Sequence, residues 1–351
     1  MSNRTPFTAR ARRCTAAAAV GLLSLTACGT GGGDEDGGYG DLEVPLSWIK
    51  TAEFGGFYFA EDQGYYEEAG FDSVNLVSGG PSATPSATQI ATGEGLVGLS
   101  NPIDTGSLID AEGEDAPIRI IGSVFQRNAF SVFTLGENPA AEPEDLEGMR
   151  IGVAPNNEAV FYAFLEVNGI DEDDVEVVSV QGDAQPLLNG EVDAYIGYAT
   201  NQALSVELEG HDVEHLMFAD HGLPFAAGSI IATEEMIEEE PEAIKAFLEA
   251  SIRGWHDALE DDEQTATVTV EEHGADQGLD FDHQLLTAER QAELIVSEDT
   301  RENGLLTMTD QLQADTLEAI EVVGYDVPED LFDLSLLEEV YEENPDLVEH
   351  P

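Results

Sequence analysis

Basic residues and cysteine are the scarce components of this sequence. Only 12 Lys and Arg stand against 73 Asp and Glu, for a formal net charge of -61. A chain so poor in positive charge has no electrostatic footprint for tracking phosphates, so nucleic acid is excluded as a partner. Cysteine occurs twice, at Cys14 and Cys28, and nowhere beyond. The body after residue 28 therefore has no disulfide, no thiolate nucleophile and no cysteine metal site. His211 and His215 are spaced as helical metal ligands would be, but Gly210 and Asp212 place them in a loop entering a strand, so no metal is predicted. Apolar residues still make up 42% of 351 residues, with 15 Phe and 9 Tyr. That is enough to bury sizeable cores in about two domains.

The first residues read as an export signal. Arg4, Arg10, Arg12 and Arg13 precede an apolar run, Ala16 to Ala27, that is too short to anchor in a bilayer. It ends in Leu25-Thr26-Ala27-Cys28, which resembles a bacterial lipobox. The resemblance implies removal of 1–27, lipid modification of Cys28, and anchoring to the outer face of the cell membrane. Residues 28–41, rich in Gly and acid, then form a flexible tether. Arg12-Arg13 hints at twin-arginine export, without the apolar residues that should follow. Acidic residues spread along the whole body, with lysine only at Lys50 and Lys245, fit a saline or alkaline setting or simply solubility.

Short apolar runs then alternate with helical stretches. Val44 to Trp48, Val74 to Val77, Leu96 to Ser100, Ile118 to Val124 and Phe130 to Leu135 form one series of strands. Arg150 to Ala154, Val175 to Val180, Ala194 to Tyr198 and His215 to Ala219 form a second, and Phe225 to Ala232 is a further run. This rhythm predicts an α/β fold with two lobes and a cleft between them: lobe 1 over 42–135, lobe 2 over 136–225, and a return to lobe 1 with C-terminal helices over 226–351. Pro241 to Leu259 carries apolar residues at spacings of three and four and is an amphipathic helix; Leu305 to Val323 shows the same pattern more weakly. Gly93-Glu94-Gly95-Leu96-Val97-Gly98 matches a dinucleotide fingerprint by letter but precedes a strand, so no cofactor is predicted from it.

The stretch from Trp48 to Phe71, with Glu53-Phe54-Gly55-Gly56-Phe57 and Gly64-Tyr65-Tyr66-Glu67-Glu68-Ala69-Gly70, resembles the opening of periplasmic binding proteins of the thiamine-pyrimidine and riboflavin type, relatives of fungal thiamine-pyrimidine synthase. The likeness continues through Ser78-Gly79-Gly80-Pro81, Phe125-Gln126-Arg127, Val192-Asp193-Ala194-Tyr195, Gly197 to Gln202 and Asp220-His221-Gly222. It spans about 44–260 and implies a type II bilobal receptor, monomeric and without cofactor, that closes on a planar heterocycle and docks on an ABC permease with its ATPase subunits. The implied ligand is a thiamine-precursor pyrimidine of the hydroxymethyl or formylamino type; riboflavin, or an alkanesulfonate, nitrate or taurine, are the alternatives. The fungal enzyme depends on a Cys-rich motif that this chain lacks, and a secreted pyrimidine-processing hydrolase would need a nucleophile, base and orienter that cannot be placed together.

Ligand contacts are expected at strand ends. Trp48 and Phe54 offer flat faces for stacking, while Phe57 and Phe59 fit the core of the first helix. Glu53 is either an exposed carboxylate or a partner for an amino edge. Ser100 and Asn101 end the third strand, with Pro102 opening a helix. Tyr198 and Asn201 follow the Ala194 to Gly197 strand, Asn201 being either a ligand contact or an ordinary N-cap. Asn156 and Glu158 lie where a strand passes into a helix, and Glu158 in the first turn disfavours an anionic ligand there. Gln126 is expected to reach the cleft, and Arg127 to neutralise neighbouring acids.

Overall fold

Ten strands organise the described part of the chain. The computed structural model describes residues 38–80, 83–113 and 116–351; the expected signal at 1–27 and most of the expected tether at 28–41 lie outside them. The strands are β1 (Gly40–Pro45), β2 (Phe71–Val77), β3 (Gly98–Ser100), β4 (Ile118–Phe125), β5 (Phe130–Leu135), β6 (Arg150–Val153), β7 (Glu176–Ser179), β8 (Ala194–Tyr198), β9 (Val213–Met217) and β10 (Ala227–Thr233). In lobe 1, β1 pairs parallel with β2, and β3-β10-β4 form an antiparallel set whose β3 lies beside β1. Lobe 2 is one sheet in the order β7-β6-β8-β5-β9.

The pairing corrects the expected boundary at 135. β5 bonds to β8 and β9, so it belongs to lobe 2, and the chain crosses between lobes after Phe125 and again before Ala227. The apolar text from Ile118 to Leu135 reads as two strands of one sheet, because the four residues between them are as few as a hairpin needs. Here those residues make the crossing instead. Asn128, fully buried, sends its Nδ2 to Leu223 O at 2.9 Å and Phe225 O at 3.4 Å, and its backbone N–H to Phe225 O at 2.9 Å. One buried amide thus stitches both crossings together.

Lobe 1 is sealed by a close helix pair. The helix Pro241–Glu260 has proline in its first turn and buries Ile244, Phe247, Leu248, Ile252 and Trp255, as its three-and-four spacing requires. It packs on the helix Gly55–Asp62 through two glycines: a Cβ on Gly254 would meet Gly56 O at 2.1 Å, and one on Gly56 would meet the Trp255 ring at 2.2 Å. The C-terminal end is pinned back on the same helix by Lys245, whose amine lies 2.9 Å from Glu242, 3.3 Å from Glu339 and 3.2 Å from Glu343. Among the described residues, no helix is long and apolar enough to cross a membrane.

Candidate functional site

A cavity of about 680 Å³ opens between the lobes at the ends of their strands. Lobe 1 contributes Trp48, Glu53, Ser100, Asn101 and Asp104 to its lining. Lobe 2 contributes Phe130, Asn156, Tyr195, Tyr198, Asn201 and Gln202.

Each side chain is placed by a short-range device. β1 ends at Pro45, three residues before Trp48, yet its pairing continues: Leu46 N–H donates to Val77 O and Gly79 N–H to Trp48 O, both at 2.9 Å. A Cβ on Gly79 would stand 2.2 Å from Leu46 O, so only glycine lets the two loops approach this closely. Asn101 is the N-cap of the helix Pro102–Glu112; its Oδ1 accepts Asp104 N–H at 2.9 Å, and its Nδ2 donates to Asp104 Oδ2 at 2.6 Å. Tyr198 ends β8, its N–H given to Gln202 Oε1 at 2.8 Å. Its ring stands edge-on to Phe130, centroids 4.7 Å apart at 89°. Asn201 makes no side-chain capping bond to its helix, which leaves its amide free for the cleft.

The electrostatics are one-sided. Burial pushes the Glu53 carboxyl up from 4.5 to about 7. Asp104, an exposed residue, is also raised by desolvation, opposed by the Asn101 hydrogen bond. The Tyr198 hydroxyl is raised first by burial and then by the charges of Glu53 and Asp104, which line the same cavity. Such a cleft can stack a planar ring between aromatic faces and read its edges with amides, hydroxyls and carboxylates.

A second opening of about 590 Å³ shares Trp48, Gly182, Asn201 and Gln202 with the first and reaches the helix Phe281–Ile295. That helix bridges the lobes. Gln284 Oε1 accepts Ala52 N–H at 2.8 Å, Gln284 Nε2 meets His283 Nδ1 at 3.0 Å, and His283 Nε2 meets Asn201 O at 3.0 Å. Thr287 Oγ1 adds a bond to Thr200 O at 3.0 Å, and Arg290 pairs with Glu207.

Seven of the residues singled out in the sequence meet at the cavity: Trp48, Glu53, Ser100, Asn101, Asn156, Tyr198 and Asn201. Three do not. Phe54 is 3% exposed in the lobe 1 core, because the single turn Ala52–Phe54 swings its ring inward. Gln126 turns away, its Nε2 bound to Thr307 O at 2.9 Å and its N–H to Leu294 O at 2.8 Å. Glu158 begins the helix Glu158–Val167 but is outside the lining, where Asn156, Asn157 and Val160 stand. Arg127 pairs with Asp220. Asp104, Phe130 and Gln202 escaped the sequence reading. Asp104 looks like an ordinary first-turn acid, and only its pairing with a preceding N-cap Asn marks it; Phe130 needs the strand register.

The family model described as NMT1/THI5 like matches residues 51–265, more than half of the chain. The protein belongs to that family. This NMT1/THI5-like chain is 28% identical over 257 residues to the formylaminopyrimidine-binding protein of Halalkalibacterium halodurans, covering 72% of this chain and 76% of that one. It is 26% identical over 242 residues to the riboflavin-binding protein RibY of Chloroflexus aurantiacus, covering 66% of each. The periplasmic aliphatic sulphonate binding protein SsuA of Escherichia coli superposes with a TM-score of 0.63 at 13% identity, over 80% of this chain and 91% of that one. The family member thus has the periplasmic-binding-protein fold, with its cavity between the two lobes.

Proposed function

We propose that the protein is the solute receptor of an ABC importer and that it closes on a thiamine-precursor pyrimidine of the formylamino or hydroxymethyl type. The observation that carries this reading is the interlobe cavity, lined by Trp48 from lobe 1 and by the edge-on pair Tyr198 and Phe130 from lobe 2, aromatic walls for a planar ring, with Asn101, Asn156 and Asn201 in the same lining for its edges. The likeness to a formylaminopyrimidine-binding protein supports the ligand class; the likeness to RibY favours riboflavin as the second reading. The receptor works extracytoplasmically as a monomer, tethered through a lipid on Cys28, and hands its cargo to a separate permease and ATPase. It needs no cofactor and does no covalent chemistry: its work is hinge closure about the crossings that Asn128 joins.

A thermal-shift panel tests this reading, because any ligand that binds the folded form alone raises apparent stability. Aminopyrimidines at saturation should raise Tm, and Trp48→Ala should weaken the affinity roughly 30-fold, the loss of about 2 kcal/mol of stacking and burial. A shift with riboflavin and none with pyrimidines would move the assignment within the family. A shift with sulfonates alone would overturn it.

A further inference from the structure

The charge inventory of the cavity says more than its shape. Among the described residues that line it, none is Lys, Arg or His, and two, Glu53 and Asp104, are carboxylates. Both come from lobe 1: Glu53 from the turn after β1, Asp104 from the first turn of the helix after β3. Among the described residues Arg127 is engaged by Asp220 and Arg290 by Glu207, and neither lines the cavity. No described hydrogen bond or ion pair engages the Glu53 carboxylate, whereas Asp104 is held by Asn101 through one oxygen, Oδ2.

We propose that the cavity takes its heterocycle as a cation, a protonated amino-substituted ring whose donor edge is read by Glu53 and Asp104 together, and that Asp104 is a specificity-determining residue of the site. This rests on the pyrimidine reading above and names the charge state of the bound ring. Glu53 is half-buried and Asp104 exposed in the same lining, with no basic residue beside them there; as the lobes close and water leaves, the two carboxylates need a counter-charge, and here the ligand supplies it. An amino-pyrimidinium shares its charge with the exocyclic amino group, whose two N–H donors lie in the ring plane and bond more strongly to carboxylates for it. Its positive ring also gains from the faces of Trp48 and Tyr198. A flavin edge, mostly carbonyl acceptors, would set oxygen against the same carboxylates; a sulfonate would add a third negative group.

The test is calorimetry on the purified protein at pH 8 with three related probes: 4-amino-2-methylpyrimidine, its permanently cationic N1-methyl derivative, and 2,4-dimethylpyrimidine, a neutral isostere of the first. The expected order is cation tightest and isostere weakest, with the cation at least about tenfold above the isostere, as charge-assisted hydrogen bonds give. Asp104→Asn and Glu53→Gln should each shrink that ratio, while Asn156→Ala on the opposite wall should weaken all probes alike and keep it. Cooperative melting of each variant separates lost recognition from lost folding, and a variant that fails to melt cooperatively is replaced by Asp104→Glu, expected to retain cation preference. Equal binding of cation and isostere, or a ratio unchanged in Asp104→Asn, overturns the charge requirement and leaves the pyrimidine reading standing. Binding of riboflavin with no response to any pyrimidine, or no binding at all, overturns both.

Discussion

Lobe 1 orders its strands as β2-β1 beside β3-β10-β4, and lobe 2 as β7-β6-β8-β5-β9. In each, the strand arriving from the other lobe, β10 or β5, takes the fourth place and runs antiparallel to both neighbours. The scaffolds are alike, yet the walls they present to the cleft differ: lobe 1 carries both carboxylates, and every lining residue from lobe 2 is uncharged. The strand order fixes where the wall stands, and the loops after the strand ends fix what it says. Keeping like charges on one lobe also lets the other close without bringing acid against acid, an approach that would cost most as water leaves the cleft.

The sharpest way to break this pairing is to unseat one lobe alone. Gly254→Ala forces a methyl into Gly56 O and Ala60 N, and it should cost lobe 1 about 3 kcal/mol. Denaturant unfolding read at Trp255 in lobe 1 and at the lobe 2 tyrosines would show whether the lobes melt together. Asn128→Ala comes next: it leaves Leu223 O and Phe225 O without their side-chain donor and should cost about 2 kcal/mol. Scattering from the empty protein should show a wider spread of lobe angles in this variant.

Glu53 gives a subtler asymmetry. Its carboxyl titrates near 7 in the fold against an ordinary 4.5, so between those values the native state holds a proton that the unfolded chain has released. That contribution to stability is full below 4.5 and is lost as pH rises through 7. In Glu53→Gln the decline of Tm over this window should flatten; an unchanged slope would mean that the carboxyl is not desolvated. The smallest effect is expected from Asn156→Asp, which puts a charge on the neutral wall. It should reduce spontaneous closure of the empty protein less than about threefold at physiological salt and by nothing measurable at 1 M.

Much of this architecture was legible beforehand where residues are buried on both faces. Phe130 to Leu135 and Ala194 to Tyr198 are strands over those bounds, since continuous apolar text is what a covered central strand needs. The first strand slips: the apolar text from Val44 to Trp48 continues past Pro45, where regular pairing gives way to single tethering bonds. The helices Phe281–Ile295 and Ser335–Glu343 lay hidden in acidic text because their polar faces outweigh a narrow apolar stripe. At the site, aromatics and amides at strand ends could be named from the sequence, but which way a ring turns could not. Phe54 and Glu53 are neighbours with opposite fates, decided by one helical turn.

The pinning of Lys245 has a practical side. Side-chain amines in this sequence are confined to Lys50 and Lys245. The three glutamates around Lys245 raise its pKa and leave its side chain 10% exposed, so little of it exists as the free base that acylating reagents attack. Lys50, half-buried and two residues from Trp48, is the side-chain amine left to react. Among side chains, ordinary amine acylation would therefore favour one position, and a dye carried there, close in sequence to Trp48, can report on the cleft with no residue changed once the α-amino group is accounted for.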